Sequence, residues 1–153
     1  GECLSVHGLA PETLIVELSE TALLRASAAA REQLQRLHAM GVRIAIDDFG
    51  TGHSSLSYLK RFDVDTLKID RSFIKDTPDD AEDSAIAIAV IALGHGLGLK
   101  VVAEGVETPA QQDRLLELGC DGFQGYVFSR PLARGQFLAY VHAMQSRHAR
   151  VVG

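Results

Sequence analysis

Short runs of β-branched and apolar residues alternate with helical patterns along the whole chain. Strands are predicted over "LIVEL" (14–18), "VRIAID" (42–47), "DTLKID" (65–70), "KVVAE" (100–104) and "GFQGYVF" (122–128). Amphipathic helices are predicted near 31–40, 82–97, 109–118 and 134–148. The stretch 82–97, "EDSAIAIAVIALGHGL", is largely apolar, which predicts a well-buried helix. Gly41, Gly98 and Gly119 fall just after helical stretches, where a left-handed cap is needed. Thr108 suits an N-cap, with Pro109 at the first helical position. Such a succession of βα units implies an α/β protein built on a parallel sheet. No internal repeat, low-complexity tract or linker interrupts it.

Polar residues close the strands. Glu17 ends "LIVE", Asp47 and Asp48 end "RIAIDD", Lys68 and Asp70 end "TLKID", Glu104 ends "KVVAE", and Gln124 lies in the last strand. An open doubly wound sheet gathers its chemistry mainly at one switch point, so polar endings on every strand would be out of place there. In a closed (β/α)8 barrel all strand carboxyl ends surround one mouth. The expected fold is therefore part of a (β/α)8 TIM-type barrel, with about five βα units of the eight. The opening "GECLSVHGLAPETL" reads as the tail of a helix ending at Gly8, with nothing upstream to begin it.

Composition narrows the function without naming it. The 153 residues carry 15 basic and 20 acidic side chains, a net charge of −5, with no Lys/Arg run. A DNA or RNA duplex is not the expected partner. Cys3 and Cys120 lie far apart with no CxxC spacing, which suits a reducing compartment. The six histidines form no HExxH and no Cys/His pairing, so zinc has little support. No apolar run approaches a membrane span and no signal peptide opens the chain. The expected location is cytoplasmic, including the cytoplasmic part of a membrane-tethered protein.

Acidic groups from several strands, brought into one mouth, repel and desolvate one another unless cations sit between them. Oxygen ligands without Cys or His favour Mg²⁺ or Mn²⁺. On this reading Asp47 bridges two ions from the interior and Asp48, at the rim, holds only the second. Paired ions about 3.5–4 Å apart suit phosphoester hydrolysis. Lys68 adds a positive charge for the phosphate or the attacking water. Simpler readings exist for each residue taken singly. Asp47-Asp48 before Gly50 suits an Asx-type turn, and Glu17 with Glu20 suits an acidic pair at a helix start. Glu107 suits a capping neighbour, Lys68 a solvated strand end, and Gln124 a residue satisfying backbone groups. The glycine-rich "GTGHSSL" lacks a Walker lysine and is not a P-loop.

Taken together, "ELSE" (17–20), "IDDFGTGHSSLSYL" (46–59), "LKIDRSFI" (67–74), "VVAEGVET" (101–108) and "GFQGYVFSRPL" (122–132) resemble the successive signatures of the EAL-domain family. Those enzymes are cyclic di-GMP phosphodiesterases of bacterial signalling, and the motifs occur in order over nearly the whole chain. The resemblance implies metal-dependent hydrolysis of cyclic di-GMP to linear pGpG with two Mg²⁺ or Mn²⁺ ions. It implies metal ligation by Glu17, Asp47, Asp48 and Glu104, the last either ligand or general base. Lys68 resembles the lysine that touches the attacking water, with Asp70 close by. Gln124 resembles the glutamine that holds site and substrate, and Glu20 and Glu107 resemble supports of the catalytic loop. A homodimer through the loop after Asp48 and accompanying GGDEF or sensory domains are further implications.

Two family features are missing: the Glu-Ala-Leu tripeptide and the strand Asn of the first metal's shell. Both would lie upstream of Gly1, so residues 1–153 are expected to be the carboxy-terminal portion of one such domain, with weak metal binding and weak hydrolysis when isolated. His53 stands where the family more often has Tyr. The alternative function is a catalytically inactive relative acting as a cyclic di-GMP receptor or protein-interaction scaffold.

Overall fold

The computed structural model describes residues 2–51, 59 and 62–151. Five strands, β1 (Ile15–Ser19), β2 (Arg43–Phe49), β3 (Thr66–Ile69), β4 (Lys100–Glu104) and β5 (Gly122–Gln124), form one sheet in the order β1-β2-β3-β4-β5. Every pairing is parallel. Among the described residues six α-helices accompany them: α1 (Glu2–Val6), α2 (Glu20–Leu24), α3 (Ala28–Ala39), α4 (Ala81–Gly96), α5 (Pro109–Glu117) and α6 (Arg134–Val151). Strand order that follows chain order, without reversal, is the winding of a barrel and not of a doubly wound sheet. The fold is α/β and corresponds to part of a (β/α)8 barrel.

The two faces of the sheet differ chemically. Ile44, Ile46, Leu67, Ile69, Val101 and Ala103 belong to a continuous core with Ala87, Val90 and Ile91 of α4 and Leu115 of α5; Leu34 of α3 packs against it. The register puts Glu17 beside Ala45, Lys68 beside Val102 and Glu104 beside Gln124 on the opposite face. Period-two alternation thus sends the apolar set toward the helices and the polar set toward the barrel interior.

At the amino ends of the strands one device occurs twice. Asp65 donates its backbone N–H to Ile44 O (2.9 Å) and accepts the Ile44 N–H on Oδ2 (2.7 Å). Asp121 makes the same two bonds with Val101 (2.9 and 2.7 Å). Each aspartate also meets a histidine from the helix that precedes the strand it binds, His38 of α3 at 3.5 Å and His95 of α4 at 2.9 Å. A carboxylate thereby satisfies a strand-end N–H that the ladder leaves open.

Several expectations change in detail. The strand expected over 122–128 stops at Gln124. Beyond it the chain folds over the loop after β4: Val106 N–H donates to Gln124 O (3.1 Å) and Val127 N–H to Val106 O (3.0 Å). Only glycine fits at 125, because a Cβ there would lie 2.1 Å from Val106 O. The helix expected to be deeply buried, α4, buries one face through Ser84, Ala87, Val90, Ile91 and Gly94, and leaves Ile88 exposed on the other. Its apolar composition exceeds what the sheet covers. The short α2 starts at Glu20, as the simpler reading of that acidic residue allowed, and Ser19 caps it. Gly41, Gly98 and Gly119 follow α3, α4 and α5 with φ of 90°, 74° and 87°, as left-handed caps require.

Candidate active site

Lys68 is the centre of the mouth. It lies on β3, its side chain is only 5% exposed, and it reaches three carboxylates from three other strands. Nζ is 2.8 Å from Glu17 Oε2, 3.1 Å from Asp47 Oδ1 and 2.6 Å from Glu104 Oε1. Parallel register makes this possible, since residues far apart in sequence come level at the same end of the sheet.

The Asp47-Asp48 pair owes its geometry to a bulge. Ile46 pairs with Leu67 and Phe49 with Ile69, so Asp47 and Asp48 together span the single position of Lys68. A regular strand would send consecutive side chains to opposite faces. Here Asp48 takes φ 54°, and this left-handed step turns its carboxylate back toward the mouth. One oxygen from each of Asp47, Asp48 and Glu104 lies within 4.8 Å of the others. Glu17 is not in that triple and joins it through Lys68.

Charge is out of balance at this point, with four carboxylates around one ammonium. Burial works against the Lys68 charge, but its contacts with Glu104, Glu17 and Asp47 outweigh this and hold its pKa above the usual lysine range. Burial pushes Glu104 up despite the contact with Lys68, and the neighbouring charge of Asp47 adds to the rise. A shared lysine does not neutralise three partners. Asp48 is also raised, by desolvation first and then by Asp47 and Asp70. Asp70 goes the other way. Desolvation opposes its charge, but the Ser72 hydroxyl and the Ser72 N–H (2.9 Å) both donate to Oδ1 and lower it.

The donor set tests well for a divalent cation. All of it is hard oxygen, and the buried Asp47 Oδ1 accepts no hydrogen bond, its one close polar neighbour among the described residues being the Lys68 ammonium at 3.1 Å. Four carboxylates that share one ammonium remain costly to hold together without further positive charge.

Beside this cluster is a cavity of about 280 Å³ bordered by Asp48, Asp70, Glu104, Glu107 and Gln124. Arg71 and Tyr126 border it as well, and both escaped the sequence reading. Arg71 follows Asp70 directly; Tyr126 carries the Arg130 guanidinium 4.6 Å from its ring centre. An exposed aromatic beside a glycine turn was the available signal. Glu20 is buried, and its Oε2 accepts the Gly50 N–H at 3.4 Å, tying α2 to the loop that leaves β2. Glu107 is exposed, with its N–H donated to Gln111 Oε1 at 2.7 Å. His53 and residues 52–58 of the loop after Asp48 lie outside the described residues, and so does the dimer contact expected there.

A barrel-type sheet with an acidic mouth around a buried lysine defines a class, and comparison supplies the family. The EAL domain model matches residues 2–131, and the chain belongs to that family. It is 52% identical over 135 residues to the bifunctional diguanylate cyclase/cyclic di-GMP phosphodiesterase MucR of Pseudomonas aeruginosa, covering 88% of this chain and 20% of MucR. The structure of the PaMucR phosphodiesterase in complex with c-di-GMP superposes with a TM-score of 0.81 at 50% identity, over 89% of this chain and 55% of that one. The manganese/cy-diGMP complex of Klebsiella pneumoniae BlrP1 at pH 9.0 gives 0.78 at 38% identity, over 85% and 33%. The chain therefore spans about a fifth of the length of its curated relative MucR. No helix among the described residues is long and apolar enough to cross a membrane.

Proposed function

We propose that these residues form the carboxy-terminal, acid-lined part of an EAL domain that hydrolyses cyclic di-GMP to linear pGpG, assisted by two Mg²⁺ or Mn²⁺ ions. The observation that carries this reading is the convergence of Asp47, Asp48 and Glu104 within 4.8 Å, beside a lysine shared with Glu17. The likeness to a phosphodiesterase solved with c-di-GMP supports the substrate.

Glu17, Asp47, Asp48 and Glu104 would hold the ions, which when bound supply Lewis-acid stabilisation and a water of lowered pKa. The chain's own groups do the rest. Lys68 keeps Glu17, Asp47 and Glu104 level with one another and offers a fixed positive charge to the phosphoryl oxygens, in a setting that needs no reorganisation. Glu104, raised by burial and bordering the cavity, would take the proton of the attacking water at a carboxylate oxygen. Gln124 and Asp70 border the same cavity and would orient the substrate. Glu20 anchors the loop after β2, and Glu107 braces the loop after β4.

Three further parts of the reading stand with it: a homodimer through the loop after Asp48, GGDEF or sensory domains in the same protein, and a cytoplasmic site of action. The test is hydrolysis of cyclic di-GMP by the domain within its parent protein, with Mg²⁺ or Mn²⁺ and with chelator, following pGpG by chromatography. Metal-dependent pGpG release that Glu104→Gln abolishes is the expected result. Tight binding of the dinucleotide without turnover would instead favour a receptor.

A further inference from the structure

Gln111 is a buried polar side chain that makes four hydrogen bonds outside the carboxylate cluster. It is 5% exposed and sits in the first turn of α5. Its Oε1 accepts the N–H of Glu107 (2.7 Å) and of Thr108 (3.0 Å). Its Nε2 donates to Ile74 O (3.2 Å) and Lys75 O (2.9 Å). The orientation of the amide follows from its partners, because two N–H groups can meet only the oxygen and two carbonyls only the NH₂.

A capping residue needs only the first pair of bonds. Thr108 and Gln111 already complete a capping box, in which the N3 side chain reaches back to the N-cap N–H. The second pair does something else. Ile74 and Lys75 belong to the connection that leaves β3, 37 and 36 residues away in sequence. That connection carries Asp70 and Arg71, while the connection leaving β4 carries Gly105 and Glu107. All four residues border the cavity that Glu104 and Asp48 also border. Contact between the two connections is already tight, since a Cβ on Gly105 would lie 2.4 Å from Arg71 Cβ.

Resting on the function proposed above, we infer that Gln111 is a positioning residue: one amide clasps the β3 and β4 connections, which both line the substrate cavity through Asp70, Arg71, Gly105 and Glu107, and so fixes the shape of that cavity. It acts on substrate fit and not on the chemistry, because Lys68 and Glu104 are held by the strands.

Gln111→Glu separates the two roles. A glutamate keeps the shape and the cap, and its charge suits a helix start, but it has no N–H to offer Ile74 O and Lys75 O. In the parent protein, Gln111→Glu should raise KM for cyclic di-GMP about tenfold, as expected for bonds lost from a clasp, with kcat changed less than about threefold. Gln111→Met, which loses both pairs, should raise KM at least as much and also lower thermal stability. Leu115→Ala, a core change on the same helix, should lower stability with KM unchanged. Hydrogen exchange gives a readout independent of turnover: in Gln111→Glu, peptides covering 74–80 should exchange about tenfold faster, and those covering 107–112 should not. Unchanged exchange at 74–80, or a KM that moves equally in Leu115→Ala, overturns the clasp. A wild-type protein that neither binds nor hydrolyses the dinucleotide sinks the proposed function, and the exchange comparison still decides the clasp.

Discussion

Replacing Lys68 with methionine removes one ammonium and leaves the rest of the mouth in place. The side chain is 5% exposed and touches three carboxylates at 2.6 to 3.1 Å. Deleting one partner of a buried ion pair typically costs about 3–5 kcal/mol, because the remaining charge stays desolvated. Glu17 is 46% exposed and screened by water, so the lower end applies, about 3 kcal/mol. With a urea dependence of about 1–3 kcal/mol per molar, the midpoint in chelator should fall by about 1–3 M.

The pH dependence has a definite sign. The Lys68 pKa is raised in the folded state. Its contribution is therefore fully present below the unfolded value of about 10.4 and is lost only as pH rises through the folded one. The gap between wild type and Lys68→Met should be equal at pH 7 and pH 9. Divalent cation adds a second readout. Lysine and cation compete for the same oxygens, so Mn²⁺ should stabilise Lys68→Met more than wild type, while hydrolysis stays about 10²–10³-fold lower. Equal urea midpoints for the two proteins in chelator would refute the account of Lys68 as the common counter-ion.

Three other outcomes follow from the same structure. Asp48 holds a left-handed backbone against two neighbouring carboxylates, so Asp48→Gly should raise stability by about 1 kcal/mol in urea titration while hydrolysis falls; a loss of stability would contradict it. Asp121 is lowered by the Val101 N–H first and by His95 after it, outweighing its desolvation. Its stabilisation is present above the unfolded carboxylate value of about 3.9 and disappears as pH falls through the folded one, so Asp121→Asn should flatten the acid limb of a urea-midpoint profile below about pH 4. Cys3 is exposed, whereas Cys120 is buried and its thiol is pushed up by desolvation. Iodoacetamide at pH 8 should label Cys3 in the native protein and Cys120 only after denaturation, as peptide mass mapping would register.

Much of the fold was written locally. The pattern "KVVAE" and the strand Lys100–Glu104 coincide, and the helix predicted from Pro109 is capped by Thr108 as its spacing indicated. Period two, period 3.6 and the residues that stop them are properties of neighbouring positions, so a single chain displays them. The polar strand ends were equally legible, and with them the barrel and the acidic mouth. Even so, "GFQGYVF" misled, because β-rich composition does not show that Gly125 must pass within contact of the Val106 backbone.

Tertiary structure decided what those residues do to one another. The alternation rule sends Asp47 and Asp48 apart, and only the two-for-one pairing against Lys68 brings them together. Lys68 was legible as a positive charge at a strand end, but its nearest neighbours, Glu104, Glu17 and Asp47, come from three other strands. Gln111 stands three residues after the cap Thr108, and its partners Ile74 and Lys75 lie more than thirty positions away. Sequence determines which backbone forms and which face is apolar through short-range sterics and burial. Which charges share a counter-ion depends on register between distant segments, and that exists only once the sheet has assembled.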